Sequence, residues 1–103
     1  MSIRNKTEFF DFHLKHQSKL RQYGVKRCGV FGSFARGPQN EESDIDVLVE
    51  FEPGNKSFDN FMKLAFFLED SLGRRVELVT AESLSPYIGP RILREVEYAS
   101  VSN

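Results

Sequence analysis

Two aspartates separated by one residue, Asp44 and Asp46, sit in the apolar run Ser43-Asp44-Ile45-Asp46-Val47-Leu48-Val49, and ten residues separate Gly32-Ser33 from the first. This pattern constrains the fold more than any other feature of the chain. Alternate residues of a strand point to the same face, with Cα atoms about 6.5–7 Å apart. A strand here aims the carboxylates of Asp44 and Asp46 toward one point and turns Ile45, Val47 and Val49 into a core. Two like charges held together are costly without positive charge between them, and hard divalent cations prefer carboxylate oxygens. Gly32 and Ser33 fall on the turn that leaves a preceding strand. Such a turn offers free backbone N–H groups, and a helix starting there adds a dipole that favours an anion. Phosphate donors on one side and metal-binding carboxylates on the other form a site for a metal–nucleotide complex.

The remainder of the chain supplies a frame of matching size. Its 103 residues are enough for one domain, residues 1–103, with one modest core, to which ten Phe and a 40% hydrophobic content contribute. Fourteen Lys+Arg against fifteen Asp+Glu argue against nucleic-acid binding by a basic surface, but not against a small phosphorylated substrate. No apolar run approaches a membrane span, and the N-terminal residues Met1-Ser2-Ile3-Arg4-Asn5-Lys6-Thr7 carry no hydrophobic signal segment, so a cytoplasmic chain without membrane attachment is expected. Cys28 is the only cysteine, which excludes an internal disulfide and suits a small core residue in a strand.

Apolar spacing predicts alternating helix and strand. Thr7 is placed to cap a first helix running to residue 23, with Gly24 as its stop, and His13 and His16 within it read as packing or surface residues. Strands are expected over residues 25–31, 44–51 and 75–80. Between the last two, Pro53-Gly54-Asn55 marks a turn, and Ser57 caps a helix that ends at Gly73. Its stripe is read as Phe58, Phe61, Met62, Ala65, Leu68 and Leu72. Residues 83–98 read as a helix in two parts, divided near Gly89 and Pro90, with Ile92, Leu93 and Val96 inward. The expected class is α+β, a small mixed sheet with helices packed on one side.

The elements Gly32-Ser33-Phe34-Ala35-Arg36-Gly37 and Ser43-Asp44-Ile45-Asp46-Val47-Leu48-Val49-Glu50-Phe51 together resemble the signature of the DNA polymerase β-like nucleotidyltransferase superfamily. Their wording and the short chain are similar to its minimal nucleotidyltransferases (MNT), typically encoded beside a HEPN-domain protein as a toxin–antitoxin pair. The resemblance covers residues 23–96. It implies the polymerase β-like core and an Mg²⁺-dependent enzyme with ATP as donor. The implied acceptor is a hydroxyl, a tyrosine, on a cognate HEPN ribonuclease toxin, which adenylylation neutralises. The alternative is a non-catalytic antitoxin that neutralises the toxin by complex formation. A small-molecule transferase fits less well, because such enzymes usually carry an extra substrate-binding domain.

Glu77 is the third residue of interest. Val76 and Leu78 flank it as inward residues, so it faces the other side. If its strand neighbours that of Asp46, it completes a carboxylate set with Asp44 and Asp46; otherwise it is an exposed strand residue. The family most often has Asp at this position; Glu is longer by one methylene, which bears on whether it holds metal directly, takes a proton or acts through water. The expected chemistry uses two ions bridged by Asp44 and Asp46. Arg36 is placed either to reach a phosphate or to pair with Glu41 or Glu42. Ser43 is placed to orient Asp44 toward the nucleotide or to cap the turn.

Overall fold

Asn5 opens the first helix. In the computed structural model, which describes residues 3–36 and 44–99, Asn5 is extended at φ −154° and its side chain accepts the Glu8 amide at 3.0 Å. The cap therefore precedes the expected Thr7 by two residues, and Asn is among the strongest capping residues. Helix α1 (Lys6–Lys15) breaks at His16, and α2 (Gln17–Gln22) follows. The break divides what the spacing presented as one helix. At its centre the His16 Nδ1 lies 2.9 Å from the Phe12 carbonyl, while the His16 ring stacks on Phe12.

Three strands follow the predicted positions closely: β1 (Val25–Phe31), β2 (Ile45–Phe51) and β3 (Val76–Thr80). A short helix, α3 (Gly32–Arg36), leaves β1 directly. Between β2 and β3 runs α4 (Phe58–Leu72), capped by Ser57 through the Asn60 amide and closed by Gly73 in the left-handed conformation, both as expected. Parallel neighbours need a crossover of a dozen or more residues. Helix α4 provides it, so β2 and β3 pair in parallel, whereas β1 pairs antiparallel with β2.

The main core lies on one face of this sheet. Cys28, Val30, Ile45, Val47 and Val49 pack with Phe9, Leu20, Leu64, Leu68 and Leu72, all buried. Each fully buried aliphatic side chain contributes about 1.5–3 kcal/mol. The buried line of α4 runs through Leu64 rather than Phe58, which stands at the first helical position and is 78% exposed. Leu48 and Phe31 are also buried, but on the row of Asp46 and outside the main core.

The C-terminal segment reaches that second face. A 3₁₀ turn (Ala81–Ser83) leads to α5 (Gly89–Glu95), with Pro90 in its first turn, and then to a short strand, β4 (Glu97–Tyr98). A continuous two-part helix to residue 98 is thus not formed. The open edge of β1 captures the chain instead: Gly29 and Val30 pair with Tyr98 and Glu97, and the Ala99 amide donates to the Cys28 carbonyl at 2.9 Å. A Cβ on Gly29 would lie 2.7 Å from Val96 Cγ2, so glycine is what allows this approach. Arg27 stacks on the Tyr98 ring at 3.8 Å, and both side chains bond Glu50. Leu93, expected inward, is half exposed. The sheet order is β3-β2-β1-β4. No helix of the described residues is long and apolar enough to cross a membrane.

Candidate active site

The end of β1 brings the glycine turn to the aspartate strand. Phe31, its last residue, is the register partner of Asp46 on β2. The next residue, Gly32, takes φ +69° and starts α3. A Cβ at that position would collide with Oδ2 of Asp46. Glycine is therefore required twice, by the left-handed backbone and by the carboxylate against its Cα.

On the other side of β2, the parallel register sets Asp46 opposite Glu77. Val76 is buried and Leu78 packs on the core, which leaves Glu77 on the opposite, exposed face. The Asp46 carboxyl is pushed up to about 6. Burial is the main cause, followed by the charge of Glu77 and a hydrogen bond to it, then the charge of Asp44; Arg36 opposes the shift. The pair is thus short of positive charge. Asp44 is half-buried just before β2 and acts on Asp46 through its charge. Among the described residues no three carboxylate, histidine or cysteine side chains converge into a metal cage. The geometry closes the Asp46–Glu77 pair, with Asp44 beside it in sequence.

Ser33 and Arg36 occupy the first and last turns of α3. Arg36 is exposed and its Nη1 pairs with Glu95 Oε1 at 3.3 Å. Ser43 lies outside the described residues, as do Glu41 and Glu42, the other partners considered for Arg36.

Glu95 is a site neighbour that sequence reasoning missed. Its Oε1 also accepts the Gly32 backbone N–H at 3.0 Å, across a separation of 63 residues. No local signal points to it: the segment reads in sequence as helical to residue 98, and its partners Arg36 and Gly32 lie 59 and 63 residues away. Cys28, by contrast, is an inert core thiol, pushed up to about 12 by burial.

A glycine turn against carboxylates on adjacent strands of a mixed sheet defines a class of enzyme that transfers part of a nucleotide. The profile of the nucleotidyltransferase domain matches residues 14–99, and the chain belongs to that family. It is 46% identical over 84 residues to the protein adenylyltransferase MntA of Thermococcus cleftensis, covering 81% of this chain and 84% of that protein. A solved structure provisionally described as a minimal nucleotidyltransferase superposes with TM-score 0.79 at 34% identity, covering 94% and 98% of the two chains. The fold recurs in a complex of tri-AMPylated Shewanella oneidensis HEPN toxin with MNT antitoxin, at TM-score 0.61 and 21% identity, over 90% of this chain and 73% of that one.

Proposed function

We propose that this nucleotidyltransferase moves an adenylyl group from ATP to a tyrosine hydroxyl of a cognate HEPN-domain toxin in the cytoplasm, and so serves as its antitoxin. The observation that carries the reading is the convergence of the Gly32 turn, Asp46 and Glu77 at one level of the sheet. The adenylyltransferase relative and the AMPylated toxin complex support the donor and the acceptor.

In the reaction, the acceptor oxygen forms a bond to the α-phosphorus, the bond from that phosphorus to the bridging oxygen breaks, and pyrophosphate leaves. The Gly32–Ser33 turn and Arg36 hold the phosphates, and Ser43 is kept from the sequence as a further nucleotide-binding candidate. Glu77, exposed beside Asp46, takes the hydroxyl proton on a carboxylate oxygen. Carboxylates crowded enough to raise Asp46 fit a hard cation, and Asp44 and Asp46 would hold Mg²⁺, two ions in this chemistry, with Glu77 a further ligand where it does not take the proton. When bound, Mg²⁺ neutralises the phosphates and stabilises the entering oxygen. Most of the acceleration comes from positioning and charge stabilisation.

Intact-mass spectrometry of the toxin, with ATP and Mg²⁺, tests the reading. A mass increase in whole adenylyl units is expected. The exposure of Glu77 favours a second reading, a binding antitoxin. A toxin neutralised at unchanged mass, also by the Asp44→Asn/Asp46→Asn double variant, would select it.

A further inference from the structure

We infer that Glu95 is a positioning residue, which holds the Gly32 turn and Arg36 in the arrangement that receives the donor's triphosphate. The inference rests on the nucleotide reading above and goes beyond it, because Glu95 belongs to neither sequence motif. One carboxylate oxygen of Glu95 accepts from two groups at once, the Gly32 amide at 3.0 Å and Arg36 Nη1 at 3.3 Å. Both groups belong to α3, at its first and last residues. The other oxygen lies 3.8 Å from Arg91 Nε, one helical turn back. The carboxylate is therefore held on α5 and spans α3 from end to end.

Each bond has a distinct effect. The amide bond restrains Gly32, whose missing Cβ leaves the space that Oδ2 of Asp46 occupies. Two carboxylates thus meet the turn at Gly32, whose backbone is left-handed at φ +69°. The ion pair restrains Arg36, a long and otherwise exposed side chain, near enough to Asp46 to oppose its pKa shift. Fixing a rotamer-rich cation before the anion arrives removes part of the ordering cost of binding. Charge-assisted bonds from a carboxylate to a backbone N–H and a guanidinium are among the stronger ones available for that purpose.

The test titrates AMP-PNP with Mg²⁺, and separately inorganic tripolyphosphate with Mg²⁺, into wild type, Glu95→Gln, Glu95→Ala, Arg36→Ala and the Glu95→Ala/Arg36→Ala pair. Circular dichroism and melting confirm that every protein compared is folded at the titration temperature. Glu95→Ala is expected to weaken both probes by about tenfold, the scale of a lost charge-assisted contact. Glu95→Gln keeps a carbonyl for the Gly32 amide and is expected to fall between. The double variant should bind no worse than about the weaker single one, because Glu95 acts partly through Arg36. A merely structural role lowers the melting temperature and leaves the affinities and this non-additivity unmoved, and that result overturns the inference. Tighter binding by Glu95→Ala also overturns it, by making Glu95 a competitor of the phosphates. If Glu95→Ala does not fold, equal affinity of Glu95→Gln and wild type for both probes overturns it. A wild type that binds neither probe overturns the nucleotide reading and this inference together.

Discussion

Asp46 and Glu77 face each other at one register position of the parallel β2–β3 pair. The pairing exists because α4 returns the chain alongside β2, and it places two acids from distant parts of the sequence side by side. Burial first, then the like charge of Glu77, pushes the Asp46 carboxyl up to about 6, and a cation is the natural third component.

Replacement of either aspartate separates chemistry from stability. Asp44→Asn or Asp46→Asn is expected to lower adenylyl transfer by at least about a hundredfold, as for loss of a ligand in a metal-assisted step. Asp46→Asn is also expected to stabilise the metal-free protein at pH 7. The Asp46 carboxyl is raised from 3.8 to about 6, so wild type loses stability as pH rises through that window and does not regain it above. After solvent screening the gain is about 1 kcal/mol, or about 4–8 °C in melting temperature. Differential scanning at pH 4.5 and 7 reads it: the two proteins should diverge more at the higher pH. Near-normal turnover by either variant would refute the carboxylate mechanism.

Nucleotide binding should need the cation. Calorimetry with AMP-PNP is expected to give at least about tenfold tighter binding with Mg²⁺ than with a chelator, since the triphosphate otherwise meets Asp44 and Asp46 unshielded. Equal affinity in both conditions contradicts a bridging ion.

Gly32→Ala tests the contact beneath the site. The new methyl group meets the Asp46 carboxylate and the backbone sits at φ +69°, which costs about 1–2 kcal/mol before any clash. Urea denaturation should show that loss, and transfer should fall further than stability because Asp46 is displaced.

His13 offers a stability switch remote from the chemistry. It is buried on α1 with neither ring nitrogen hydrogen-bonded, and burial lowers its pKa from 6.5. The unfolded chain takes up the proton first, so this stability is complete above pH 6.5 and is lost as pH falls below it. His13→Leu removes the dependence. Its melting temperature should change less than that of wild type between pH 7 and 5, and parallel curves would exclude His13 as the source.

The elements that sequence patterning revealed are those whose signals are local. Ser57 and Gly73 bracket α4 because capping and left-handed closure depend on the residues themselves. The face of Glu77 followed from strand alternation, although its partner depended on the crossover. The C-terminal misreading was decided by a distant contact, whereas the Asn5 cap and the break at His16 were decided locally. Val96 to Tyr98 have no intrinsic reason to leave a helical pattern, yet the free edge of β1 draws residues 97 and 98 into the sheet. Phe58 matches the α4 stripe in spacing but stands at the helix start with no core beneath it. The carboxylates of the site were legible because a repeat of two on a strand is visible in one dimension. Glu95 was not, because its partner lies 63 residues away.

That long connection also sets an order of assembly. Closing a loop carries an entropic cost that grows with its length, so contacts between neighbours in sequence form before distant ones repay theirs. The β1–β2 pair and α4 can form from nearby segments, but the Gly32 amide receives its carboxylate only when α5 has docked. The Gly32 turn is therefore among the last parts of the molecule to acquire its final shape. A partly folded chain would hold its acids without a finished grip on the nucleotide, so that competence for transfer reports completion of the fold.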